Sequence, residues 1–178
     1  MRRDWLLEYR DWRPDQQPLR ESLTTLGNGY FCTRGAAEEA QAGGCHYPGT
    51  YLVGGYNRLA DTVAGRKLVH EDLVNWPNGL FLSCRWSDQP WLDLQRLRVL
   101  DYRHTLDLAR GVLERDFRVE DPKGRIVKIR SRRLVHMDRP HLAALTWEVT
   151  AENLSGDMIL RTALDGRVRN QGVARYRD

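Results

Sequence analysis

The chain has 178 residues, the size of one ordinary domain; it is 41% hydrophobic and 29% charged, with a formal net charge of +4. That composition buries a core and excludes a disordered or fibrous chain, and basic residues mixed among acidic ones predict no polyanion partner. No apolar run approaches the roughly 18 residues of a membrane span, and Asp4 and Glu8 interrupt the place where a signal peptide would be apolar.

In chain order, the first legible feature is ESLTTLGNGYFCTRG at residues 21–35. Here SLTTL and YFCTR read as two strands, joined by Gly27, Asn28 and Gly29, which visit positive φ cheaply. Period-two alternation then puts Tyr30, Cys32 and Arg34 on one side of the second strand, where Arg34 is either an ion-pair member or a ligand contact. GAAEEA at residues 35–40 is the best helix candidate, closed by Gly43 and Gly44. TYLVGGY and LFLSCRW are short, aromatic or β-branched runs bounded by Gly, Pro or Asn, and read as strands. VHEDL between them, with Glu71 beside Asp72, reads as a solvated turn.

VLERDFRVE, DPKG and RIVKIRSRRLV form a predicted hairpin, with Pro122 presetting the corner and Gly124 taking positive φ. Leu113, Phe117 and Val119 make its inward face, while Lys128, Arg130 and Arg132 point to solvent opposite Val127 and Ile129. With neither an aromatic platform nor a motif beside it, this basic run argues against a nucleic-acid partner. In HLAALTWEVT, Ala143, Leu145, Trp147 and Val149 share a face. MILRTAL follows after AENLSGD, whose Asn153, Ser155 and Gly156 predict a second hairpin. The whole reads as all-β, two packed antiparallel sheets.

Chemistry that announces itself by spacing is missing. The sequence holds no phosphate loop, no nucleophile elbow and no zinc helix, and its five histidines are isolated. Cys32, Cys45 and Cys84 are an odd number without a Cys-x-x-Cys pair, which fits free thiols in a reducing cytoplasm. No cofactor and no metal site is implied. Six tryptophans keep a second reading open, a free-standing carbohydrate-binding module with Trp76, Trp86 or Trp91 as stacking platforms.

ESLTTLGNGYFCTRGAAEEA, YPGTYLVGGYNR, VNWPNG, RSRRLVHMDRPHLAALTWEVT and LDGRVRNQGVARY, taken together and in this order, resemble the N-terminal domain of glycoside hydrolase family 65 from Arg20 to Tyr176. The resemblance implies a large antiparallel β-sandwich of the supersandwich, galactose mutarotase-like type, occupying residues 1–178 as a single domain. It also implies a parent enzyme whose catalytic (α/α)6 barrel lies outside this chain and phosphorolyses or hydrolyses an α-glucosidic disaccharide. There a barrel glutamate protonates the glycosidic oxygen, with inorganic phosphate or water as co-substrate, and no position here matches that acid or the phosphate site. The implied partners are the barrel, the α-glucoside and a second copy of the chain. On this reading Asn28, Tyr30, Arg34 and Trp76 are docking or binding candidates, with Arg34 making a forked bond to a barrel carboxylate or to Glu38 and Glu39.

Overall fold

Alternation of buried and exposed side chains from residue 98 to residue 151 builds one side of the protein. In the computed structural model, which describes residues 5–170, four antiparallel strands run through this stretch: β8 (Arg98–Asp107), β9 (Val112–Glu120), β10 (Ile126–Val135) and β11 (Ala143–Ala151). The N-terminal strand β1 (Leu6–Tyr9) pairs with β8, so the sheet has five strands in the order β1-β8-β9-β10-β11. The turn between β9 and β10 is as the sequence predicts, with Gly124 at φ 75° and its amide bonded to Asp121 O at 2.9 Å. Asp121 also accepts from the amides of Lys123 and Arg125, fixing the corner.

Facing this sheet is β7 (Asn78–Trp86), paired with β12 (Met158–Asp165). Cys84 and Trp86 from β7 meet Tyr102, Phe117, Val119, Val127 and Ile129 from the large sheet in the main core. Burial of a side chain of this size contributes about 1.5–3 kcal/mol. Trp86 keeps its one donor satisfied by bonding Asp121 at 3.0 Å. The protein is thus a β-sandwich of antiparallel strands.

The β7–β12 pairing corrects the predicted hairpin between MILRTAL and the strand before it. AENLSGD carries the chain from one layer to the other, because β11 finds its partner in β10 and β12 in β7. Leu160 and Leu164, which share the phase of Met158 in MILRTAL, are 62% and 74% exposed.

Two smaller units complete the described residues. β2 (Leu26–Gly27), β3 (Phe31–Thr33) and β4 (Thr50–Leu52) form a three-stranded sheet. β5 (Tyr56–Val63) and β6 (Arg66–Leu73) form a long ribbon exposed along most of its length. VHEDL lies inside β6 and not in a turn, its Glu71 paired with Arg58 across the ribbon at 2.7 Å.

The helix falls elsewhere than predicted. GAAEEA is an irregular segment, and α1 spans Gln17–Leu23, taking part of the run read as a strand. Pro18 sits in the first turn, where a missing amide costs nothing, and Leu19, Arg20 and Glu21 are good helix formers. Gln17, Arg20 and Glu21 are its buried residues, whereas Leu19 and Leu23 are exposed, the reverse of an ordinary amphipathic helix. Among the described residues no helix is long and apolar enough to cross a membrane. The end of the LDGRVRNQGVARY segment, residues 171–176, lies outside the described residues.

Candidate functional site

The inward face of the large sheet is not apolar throughout. Cross-strand register stacks it in layers: Tyr102, Phe117 and Ile129, then His104, Arg115 and Ser131, then Leu106, Leu113 and Arg133. A belt of charge therefore crosses the core between two apolar clusters, the second built from Leu26, Leu106, Leu113 and Val135.

The irregular segment after β3 plugs this belt. Ala36, Ala37 and Ala40 are buried, and the Glu38 carbonyl accepts from Leu82 on β7 at 3.0 Å, so the segment is held by both layers. Arg115 donates to Glu38 at 2.6 Å and forks onto Glu39 at 2.9 and 3.0 Å. Arg133 donates to the carbonyl of Ala36 at 2.8 Å. Burial alone would push the Glu38 carboxyl up, but Arg115 and Arg133 more than offset it and hold it below the usual range. Burial pushes His104 down to about 3, the two arginines adding, so the ring is neutral at ordinary pH. Both its nitrogens are buried without a partner among the described residues.

Asn28 holds the glycine-flanked turn with every polar atom of its side chain. Oδ1 accepts from the amides of Tyr30 and Phe31 at 3.0 and 2.8 Å, and Nδ2 donates to the carbonyls of His136 and Pro140 at 2.7 and 3.1 Å. The hairpin of β2 and β3 is thereby tied to the loop before β11. Tyr30 packs edge-on against His141 in that loop, ring centres 4.4 Å apart.

Arg34 is placed differently from its expectation. The strand covers only Phe31–Thr33, so Tyr30, Cys32 and Arg34 do not form one row on a regular strand. Arg34 donates to the carbonyls of Tyr47 and Pro18 at 2.8 and 2.9 Å and lies over the Tyr47 ring. Glu38 and Glu39 are taken by Arg115 instead. The following residue is Gly35 because a Cβ there would lie 1.9 Å from the Thr24 hydroxyl and 2.8 Å from the Thr24 carbonyl. The helix and the segment after β3 meet backbone to backbone, with Gly35 N bonded to Glu21 O at 2.8 Å. Glu21 in turn accepts from the Tyr47 amide at 2.8 Å and meets His46 Nδ1 at 2.7 Å.

Trp76 is 41% exposed, its backbone bonded to Thr50 and its indole packed where Gly55 leaves no room for a side chain. Val53 before the β5–β6 ribbon, Tyr56 and Leu73 at its base and Val69 further along it are exposed as well. Tyr30 belongs to the same end of the protein, since its carbonyl accepts from the Val53 amide at 2.9 Å. Asn28, Tyr30 and Trp76 thus gather on one side, and Arg34 is spent on Tyr47 and Pro18.

Of the other tryptophans read as platforms, Trp86 is in the core and Trp91 is engaged by Arg85 and Arg161. A groove of about 370 Å³ beside Trp91 is lined by Gln41, His46, Asp93, Gln95 and Arg96. No cluster of three metal-ligating side chains occurs among the described residues. The basic run of β10 is neutralised across the sheet, Arg130 by Asp116 and Arg132 by Glu114.

Sequence reasoning missed Arg115, Arg133 and His104. Their signal was a charged or polar residue at the inward phase of an otherwise apolar alternation, as in the Leu113, Arg115, Phe117, Val119 series of VLERDFRVE.

The chain as a whole has relatives among known proteins. Residues 7–178 match the model of the glycosyl hydrolase family 65 N-terminal domain, and the chain belongs to that family. An uncharacterized glycosyl hydrolase of Mycobacterium tuberculosis is 41% identical over 173 residues, covering 97% of this chain and 13% of the relative. Trehalose 6-phosphate phosphorylase of Lactococcus lactis subsp. lactis is 31% identical, covering 98% of this chain and 22% of that enzyme. Kojibiose phosphorylase of Caldanaerobacter subterraneus is 32% identical, covering 95% and 21%. A solved structure described as a kojibiose phosphorylase from the human microbiome superposes with a TM-score of 0.82 at 25% identity, over 97% of this chain and 23% of that one. The chain thus spans between 13% and 23% of the length of these relatives.

Proposed function

We propose that the chain is the β-sandwich part of a family 65 enzyme acting on an α-glucosidic disaccharide, and that it braces the catalytic barrel and supports dimerisation without doing chemistry itself. The observation that carries this reading is the family match along residues 7–178 in a chain about one fifth the length of its phosphorylase relatives. Phosphorolysis is favoured over hydrolysis because the trehalose, kojibiose and maltose enzymes among the relatives are phosphorylases. The exposed apolar residues support an interface: Leu19 and Leu23 on α1, and Val53, Tyr56, Val69, Leu73 and Trp76 around the ribbon. A two-stranded ribbon is marginally stable alone in water, so the β5–β6 arm gains most from a covering partner.

The test compares the 178-residue chain with a longer protein that carries it, each supplied with inorganic phosphate and maltose, trehalose or kojibiose. The longer protein is expected to release glucose 1-phosphate and the chain none. Tyr56→Ser with Val69→Ser should reduce dimer yield or thermal stability of the longer protein and leave its sugar KM within about twofold. Product formed by the purified chain, or arm variants that change only KM, would overturn the reading.

A further inference from the structure

Among the described residues, Arg85 and Arg161 form no ion pair although both are half-buried. Arg85 on β7 and Arg161 on β12 lie on the same side of the ribbon at diagonal positions, since Arg161 is opposite Ser83 and Ile159 is opposite Arg85. Trp91 is drawn back over this side by the bond from Leu92 N to Cys84 O, 2.8 Å long. Its ring engages both cations: Arg161 Cζ is 4.1 Å and Arg85 Cζ 5.2 Å from the centroid. Arg161 is also 5.0 Å from the centre of the Phe81 ring.

Both arginines are half-buried, and the Nε atom of each is shut from solvent without an acceptor. Among the described residues no carboxylate forms an ion pair with either. Asp165 does register the charge of Arg161, but its two oxygens bond Arg167 at 2.8 and 2.9 Å. By contrast Arg20, Arg115 and Arg125 each meet a carboxylate.

A half-desolvated cation without an anion is costly, and two of them beside one ring are more so. Stacking on Trp91 and Phe81 supplies part of the compensation, but it engages the flat faces only. The N–H donors lie in the guanidinium planes and stay unspent. Forks of that geometry match the paired oxygens of a phosphate or carboxylate.

We infer that Arg85 and Arg161, held by Trp91, form an oxyanion-binding site that takes a phosphate group or a carboxylate. Two sources supply that chemistry: a free phosphate-bearing ligand, or an acidic side chain of a longer polypeptide that includes this chain. The site does not depend on the function proposed above.

The probe is inorganic phosphate, titrated into the 178-residue chain at constant ionic strength set with sodium chloride, while NMR follows the arginine Nε–Hε signals. The Arg85 and Arg161 signals should shift together and saturably, with a dissociation constant on the order of millimolar. The Arg130 signal, already paired with Asp116, should not. Arg161→Gln should weaken the response of Arg85 about tenfold or more, and Arg161→Lys, which keeps charge but not the fork, should fall between. Circular dichroism confirms that each variant is folded.

A second arm repeats the titration in a longer protein carrying the chain. Shifts that persist identify a free oxyanion as occupant. Shifts that vanish, with Arg161→Gln lowering Tm more in the longer protein than in the chain, identify a covering carboxylate. Absence of any saturable shift in the chain, or an Arg85 shift undiminished in the Arg161→Gln variant, overturns the site.

Discussion

Arg115 and Glu38 meet in the interior of the sandwich at 2.6 Å, their side chains 1% and 2% exposed. Glu39 completes the fork from the other side at 2.9 Å. Removing Arg115 leaves two carboxylates in a site that no longer compensates them. Arg115→Met should therefore lose about 3–5 kcal/mol in urea unfolding, the cost of breaking a buried pair from one side. Adding Glu38→Gln and Glu39→Gln should recover part of that loss. A single variant within about 1 kcal/mol of the parent would mean that water enters the belt.

His104 gives the belt a pH dependence. Its ordinary value is 6.5 and burial takes it to about 3, so the folded chain refuses a proton that the unfolded chain accepts. Its contribution is complete above the ordinary value and is lost as pH falls toward the folded one. One such proton corresponds to about 1.4 kcal/mol per pH unit. Glu38 acts in the same direction at lower pH, because its carboxyl is held below 4.5 and its contribution fades as protonation begins. Stability measured in urea at pH 7, 6 and 5 should decline, and His104→Gln should flatten the decline. An unchanged slope in the variant would assign it to other groups.

Asn28 ties the β2–β3 hairpin to residues 136–140 through four bonds. Asn28→Ala removes all of them and should cost about 2–3 kcal/mol, whereas Asn28→Asp keeps the acceptor half and should cost about 1–2 kcal/mol. Hydrogen exchange offers an independent check, since the Tyr30 and Phe31 amides should lose protection in the first variant and retain it in the second.

Gly35→Ala places a methyl carbon 2.8 Å from the Thr24 carbonyl oxygen, a backbone atom that cannot turn aside. The end of the helix must move off the segment after β3, at about 1–3 kcal/mol or more. Thr24→Ala removes the hydroxyl at 1.9 Å but not the carbonyl, so the double variant should remain destabilised. Full recovery of Tm in the double variant would show that the hydroxyl alone sets the spacing.

Much of the sandwich is legible without coordinates. The β9–β10 hairpin follows from strict alternation around a Pro and a Gly at the right offsets, and local chemistry decides it. The partner of β12 is not local: turn formers in AENLSGD suit a hairpin equally well, and only the core formed with Cys84 and Trp86 selects β7. In α1, Pro18 and the helix formers after it are the local signal, and the threonines of SLTTL just beyond them suit a strand. The candidate residues show the same division. Asn28 could be read as a turn residue, but its bonds to His136 and Pro140 span more than a hundred positions. Arg34 reads as an ion-pair member or a ligand contact because the carbonyls that hold it, Tyr47 and Pro18, leave no trace in side-chain pattern.

The pairing of β1 with β8 matches Leu6 to Asp107. A ribosome adding roughly 5–20 residues per second needs about 5–20 s to cover the hundred or so positions between them. β1 thus stays without its partner while β2 to β7 are made, and β9 and β10 can pair with each other only after β8 has emerged. Synthesis speed, and whatever shields Leu6 and Leu7 during that wait, governs how much of the chain reaches the sandwich instead of associating through an unpaired edge.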